Sequence, residues 1–186
     1  DGQVHRRVYG NRVLEPVSDG ATEDTIYDAA SLTKVIATTT AVMQLVERGR
    51  LRLDDPVSRH LPAFAQHGKE AITVRHLLTH MSGLRPGIPA NPPWTGIPAA
   101  VERACAEKPQ NPPDAAFVYS DINFILLGEI VRRVSKLPLD QFAARHVFGP
   151  LKMTETGFLP PPAQLARLAP TTRMADDSVL RGTVHD

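Results

Sequence analysis

The sequence predicts a mainly helical chain of the α/β class, in its α+β form. Apolar residues recur at helical spacing in segments opening near Ser31, Val74, Ala99, Ser120 and Leu139. A strand-like run stands at Gln3 to Tyr9. Proline makes up 17 of 186 residues, about twice the usual ~5%, and stiffens the connections between these patterned stretches.

Asp1-Gly2 has the form of a hairpin turn, yet no strand precedes it. The run Gln3 to Tyr9 stops at Gly10, and residues 11 to 30 read as loop, with Ser18-Asp19-Gly20 a turn and Ile26-Tyr27 a buried stub. The first strong helix runs from Ser31 to Arg48 and stops at Gly49; Leu32, Val35, Ile36, Val42, Leu45 and Val46 form its apolar surface. Asp55 before Pro56 starts a short helical segment that ends at Pro62. Thr73 caps a helix from Val74 to about Thr79, closed by Ser82-Gly83. Residues 84 to 97 form a stiff loop with Pro86, Pro89, Pro92, Pro93 and Trp94. A helix from Ala99 to Glu107 and a second proline-rich stretch follow. Ser120 or Asp121 opens a helix to about Val134, with Ile122, Ile125, Leu126, Ile130 and Val131 in register. Leu139 to Val147 is a further helix, and Pro160-Pro161-Pro162 leads through a short helix to a polar tail.

Lys+Arg 21 against Asp+Glu 20 leaves a net charge of +1, so no strong field steers the chain to nucleic acid or an anionic membrane. No apolar run approaches the roughly 20 residues of a membrane span. The single cysteine, Cys105, excludes an internal disulfide framework and is expected in the core. His76 and His80 stand four apart, but no Glu follows His76 and no third ligand is apparent, so neither a metal nor a cofactor is expected.

The sharpest chemical feature is Ser31-Leu32-Thr33-Lys34. At i,i+3 on a helix the two side chains share one face. A serine hydroxyl becomes a nucleophile when a neighbouring base takes its proton. A lysine serves as that base when burial or positive potential lowers its pKa, and a helix N-terminus supplies such potential and stabilises an oxyanion. The plain alternative is Ser31 as an N-cap and Lys34 as a solvated helix residue. Tyr119-Ser120-Asp121 opens another apolar helix, and its phenol and carboxylate, two apart on an extended link, can point into one cleft. The plain alternative there is an Asp N-cap beside a core tyrosine.

Several segments occur in one order: Ala29-Ala30-Ser31-Leu32-Thr33-Lys34, Gly49-Arg50-Leu51-Arg52-Leu53-Asp54-Asp55-Pro56-Val57, Ile72 to Leu84 with Leu77-Leu78-Thr79-His80-Met81-Ser82-Gly83, Phe117 to Gly128, and Phe148-Gly149-Pro150-Leu151-Lys152-Met153. Together they resemble the serine β-lactamase, penicillin-binding protein and family VIII esterase superfamily, in its class C-like branch. The resemblance implies a β-lactamase/transpeptidase-like fold, here the helical region plus the first strands of an antiparallel sheet. It also implies an acyl-enzyme mechanism on a β-lactam, ester or D-Ala-type peptide. Ser31 is then the nucleophile, its backbone N–H one half of the oxyanion hole, and Lys34 and Tyr119 share the proton traffic. Asp121 takes the place where that family usually carries Asn.

This departure has a physical meaning. Asn both donates and accepts, whereas an ionised Asp only accepts, and a carboxylate beside Lys34 favours its ammonium form. The base role therefore shifts towards Tyr119, and acylamide recognition weakens. A second departure is the lack of a Lys-Thr-Gly or His-Thr-Gly triplet; Gly182-Thr183 follows Arg181 in the polar tail. The expected identity of residues 1 to 186 is therefore a partial hydrolase domain, with sheet strands and terminal helices lying elsewhere. The rival reading is a catalytically incomplete module that pairs with a missing segment or a second copy.

Overall fold

A computed structural model describes residues 2–15 and 17–184. The chain divides into two units, Thr33–Thr156 and the two segments Asp1–Leu32 and Gly157–Asp186.

In the larger unit a π-helical segment, Lys34–Thr39, runs into helix α1, Thr40–Glu47. The helix expected from Ser31 is thus widened in its first turns, and the reason is local. Thr38, Thr39 and Thr40 are β-branched, and the Thr40 hydroxyl donates to the Val35 carbonyl at 3.0 Å, five residues back. The far end follows the sequence. Gly49 takes φ +67°, its N–H donates to the Val46 carbonyl and that of Arg50 to Leu45, the paired bonds of a Schellman ending.

Helix α2, Val57–His60, begins after Pro56 and is followed by a 3₁₀ turn, Pro62–Phe64. Helix α3, Val74–Leu78, is capped by Thr73 in both directions. The Thr73 hydroxyl accepts from the His76 N–H at 3.4 Å, and the Thr73 N–H donates to His76 Nδ1 at 3.1 Å. This is a capping box with histidine where Glu or Gln is usual. Helices α4, Gly96–Ala106, and α5, Asp121–Ser135, follow their sequence signals closely. Helix α6, Leu139–Ala143, continues into a second π-helical segment, Ala144–Phe148.

Helix α5 is the axis of this unit. Ile122, Leu126, Leu127, Ile130 and Val131 are fully buried, and the helix packs against α1, α3, α4 and α6. Val42, Leu45, Leu77, Ala104 and Phe142 meet it in one core, with Val57 from α2, Phe64 from the 3₁₀ turn, and Leu51, Leu61 and Ile72 from the connections. Full burial of each large apolar side chain favours folding by about 1.5–3 kcal/mol, which fixes the position of the α5 N-terminus. Cys105 is buried, as expected of a small core residue.

Three buried charges in this unit are held by close partners. Asp55 accepts from the Arg52 N–H at 3.0 Å and from Arg59 at 2.7 Å, with His60 Nε2 at 3.2 Å. Glu129 is gripped by Arg132 and Arg133 at 2.7 and 2.8 Å. Lys69, fully buried, donates to the Cys105 and Glu107 carbonyls at 2.5 and 2.6 Å and lies 4.2 Å from the Phe64 ring centroid. Burial pushes its pKa down.

The smaller unit holds short antiparallel pairs. Strand β1, Asn11–Val13, pairs with β2, Asp19–Gly20, and β3, Thr172–Arg173, with β4, Val179–Leu180. Ser18-Asp19-Gly20 is therefore not a simple turn, and the polar tail folds into a hairpin. The run Gln3 to Tyr9 is not a strand; among the described residues nothing pairs with it, and it is exposed. Asp1 of the expected Asp1-Gly2 turn lies outside the described residues. Ile26 bridges to Leu168 but is only half-buried, and Tyr27 is exposed, so the buried stub is not found. Among the described residues no helix is long and apolar enough to cross a membrane.

Candidate active site

Lys34 opens the π-helical segment and is largely buried. Its Nζ lies 2.6 Å from Asp121 Oδ1 and 4.9 Å from the centroid of the Tyr119 ring, with the Phe124 ring at 5.8 Å. The larger unit thus brings together three of the four residues singled out in the sequence.

Local structure explains why Tyr119 and Asp121 reach the same cation. Ser120 is extended, at φ −140° and ψ 120°, and stands immediately before α5. Side chains on either side of an extended residue point the same way. Ser120 itself is fully buried and turned inward. Its hydroxyl donates to the Arg85 carbonyl at 2.6 Å, and its N–H donates to His80 Nδ1 at 3.0 Å. The Asp121 N–H donates to the Pro86 carbonyl at 2.7 Å. Asp121, in the first turn of α5, also gains from the positive end of the helix dipole.

The electrostatics set the state of Lys34. Burial alone would lower its pKa, but the hydrogen bond to Asp121, that to Tyr119 and the charge of Asp121 together hold it above the usual lysine value. Lys34 is an ammonium ion at neutral pH in this arrangement. The lowered pKa that a lysine base requires is not found, because Asp121 and Tyr119 together outweigh desolvation.

Ser31 belongs to the smaller unit. It is the exposed turn residue directly before the helical stretch. The preceding Ala30 is held at φ +42°, a left-handed backbone that costs a non-glycine residue about 1 kcal/mol or more. The Asp28 carboxylate accepts from the Ala30 N–H at 2.8 Å, and the Leu32 N–H donates to the Ala29 carbonyl. The turn carrying Ser31 is therefore built by its own neighbours.

The segment Thr79 to Leu84 supports α5 through buried polar bonds. The Ser82 hydroxyl donates to Asn123 Oδ1 at 2.6 Å and also accepts from the Leu84 N–H. Gly83 has φ +76°, and a Cβ there would lie 2.0 Å from the Asn111 carbonyl oxygen. His76 and His80 are both engaged within this framework. His76 uses Nδ1 in the Thr73 cap and pairs through Nε2 with Asp114 at 3.0 Å. Among the described residues no group of three metal-ligating side chains occurs. His80 and Ser82 were legible in the sequence only as parts of a resembling segment.

The sequence matches the Beta-lactamase family over residues 1–186. A protein of Escherichia coli K12, named as a D-alanyl-D-alanine carboxypeptidase, is 31% identical over 96% of this chain and 47% of its own length. Among solved structures, a penicillin-binding protein homologue from Caulobacter crescentus superposes with a TM-score of 0.72 at 28% identity, over 84% of this chain and 43% of that one. A class C β-lactamase from Rhodobacter sphaeroides gives a TM-score of 0.75 at 26% identity, over 93% and 48%. The chain spans about half the length of the curated relatives it matches. With a family match over its whole length and a β-lactamase/transpeptidase-like fold, this chain belongs to the Beta-lactamase family.

Proposed function

We propose that this chain carries the nucleophile and proton-transfer groups of a serine acyl-hydrolase, as a partial hydrolase domain over residues 1–186. The observation that supports the reading best is the meeting of Lys34 with Asp121 at 2.6 Å and with the Tyr119 ring at 4.9 Å. Ser31, three residues before Lys34 in the sequence, is assigned as the nucleophile.

In this mechanism Ser31 Oγ bonds to the carbonyl carbon of the acyl donor and its proton passes to Tyr119, held beside the Lys34 cation. The bond to the leaving group breaks, and that group takes up the proton. Water then adds to the acyl-serine, gives its proton back through the same group, and releases the acid and free Ser31. Lys34, kept as an ammonium ion, steadies negative charge on the phenol rather than accepting the proton itself.

Asp121 narrows the substrate. As a carboxylate it cannot donate to an amide oxygen. We therefore assign a small ester as the preferred acyl donor, with a β-lactam turned over weakly. The carboxypeptidase names of the relatives favour a D-alanyl peptide as the competing substrate. Hydrolysis of a nitrophenyl ester, a penicillin and a D-Ala-D-Ala peptide, each by wild type and Ser31→Ala, tests the proposal. Ester turnover lost in Ser31→Ala supports it; turnover unchanged in that variant overturns it.

A further inference from the structure

The backbone between Tyr119 and Asp121 is held by a side chain with no part in the reaction above. His80 Nδ1 accepts the Ser120 N–H at 3.0 Å. Asn123 Nδ2 stands 3.4 Å from the same nitrogen, and the Ser82 hydroxyl, donating to Asn123 Oδ1 at 2.6 Å, fixes that amide's orientation. Two donors therefore converge on Nδ1, which leaves no place for a proton there. The imidazole is neutral, with its hydrogen on Nε2.

The ring is held as tightly as the nitrogen. Its centroid lies 4.6 Å from that of Tyr119 at an interplanar angle of 31°, and 5.2 Å from that of Phe124 at 38°. Phe117 meets it edge-on at 5.7 Å and 76°. The His80 carbonyl accepts from the Val118 N–H at 2.9 Å, so both faces of the residue, side chain and backbone, grip the stretch before α5. This geometry is imposed at a cost, because His80 sits at φ +59°.

We propose that His80 is the positioning residue of this site: a neutral imidazole whose Nδ1 fixes the Ser120 N–H and whose ring sets the plane of Tyr119. The inference rests on Tyr119 as the proton carrier for Ser31 and gives that site an acid limit. Protonation would turn Nδ1 from acceptor to donor, opposite two other donors. It would also place a second cation near Lys34. The charged groups facing the ring are Lys34 from the π-helical segment and Asp121 from α5. Burial, then Lys34, disfavour the imidazolium, Asp121 favours it, and the balance keeps His80 below the usual histidine value.

The test uses the full chain in three forms: wild type, His80→Phe, which keeps a stacking ring but loses the acceptor, and His80→Asn, whose amide oxygen replaces Nδ1 and which tolerates a left-handed backbone. Ring nitrogen NMR of the wild type is expected to show the Nε2–H tautomer at pH 7. His80→Phe should slow Ser31 acylation by a nitrophenyl ester by about 100-fold, with little change in KM. It should also shift the Ser120 amide and Tyr119 ring signals. His80→Asn should restore both signals and most of the rate, and lose the acid limb of the pH profile. An Nδ1–H tautomer or an imidazolium at pH 7 overturns the proposal, as do Ser120 and Tyr119 signals unmoved in His80→Phe. If His80→Phe does not fold, the wild-type tautomer and the pH profile of His80→Asn decide. A wild type that is never acylated contradicts the hydrolase reading, while the NMR signals still judge His80.

Discussion

Lys34 Nζ and Asp121 Oδ1 stand 2.6 Å apart, the lysine largely buried and the carboxylate half exposed. This pair separates the chain from the usual arrangement of the family it resembles, in which an amide occupies the second position. It keeps Lys34 charged, and in the proposed mechanism the proton-carrying role falls to Tyr119, whose ring lies beside the cation.

Replacing Asp121 by Asn should reverse that choice. Without the carboxylate the Lys34 pKa falls, and the new amide can donate to a substrate oxygen. The ratio of penicillin to ester turnover is expected to rise about tenfold, the equivalent of ~1.4 kcal/mol. The limb of the pH–rate profile set by Lys34 should also move to lower pH. A ratio no higher than that of the wild type would show that Asp121 does not govern substrate choice.

Lys34→Ala should lose as much acylation rate as Ser31→Ala, because groups that act as a unit fail together. The measurement is single-turnover acylation with a nitrophenyl ester. Near wild-type rates for Lys34→Ala would place the lysine outside the reaction.

Asp55 contributes to the larger unit a stability that acid removes. Burial raises its pKa, but the Arg52 N–H, His60 and Arg59 together hold it below the usual carboxylate value. A depressed folded-state pKa stabilises the fold above the unfolded value of about 3.9, and that contribution is lost as pH falls through the folded value. Asp55→Asn should therefore be less stable than wild type at pH 7 by about 3 kcal/mol. Urea midpoints from pH 7 to pH 2 should converge for the two proteins at the acid end.

Gly83→Ala should destabilise the chain by about 2–4 kcal/mol, since its Cβ would strike the Asn111 carbonyl and φ is +76°. Lys136→Gly should do the opposite, by up to about 1 kcal/mol, because Lys136 ends α5 at φ +68°. Thermal melting of both variants checks the pair of signs.

Much of this was legible in the sequence where local chemistry sets the structure. Thr73 and Gly49 mark helix ends through caps whose partners lie within a turn or two. Lys34, Tyr119 and Asp121 were visible as a pattern, and the effect of a carboxylate on the lysine followed from its charge. The features that escaped depend on distant partners. The strand-like run Gln3 to Tyr9 has no described partner, while Asp19-Gly20 and the tail around Thr172 to Leu180 pair without a strong local signal. The burial of Lys69 depends on the carbonyls of Cys105 and Glu107, 36 and 38 residues away. His80 reads as a loop histidine until Ser120 and three aromatic rings close around it.

The central claim is that Ser31 is an activated nucleophile. Intact-mass measurement after incubation with an organophosphonate and, separately, with a penicillin tests it directly, followed by peptide mapping of any adduct. The account predicts one phosphonyl group per chain, on Ser31, with slower or weaker labelling by the penicillin. An unmodified chain, or an adduct on another residue that persists in Ser31→Ala, would contradict it.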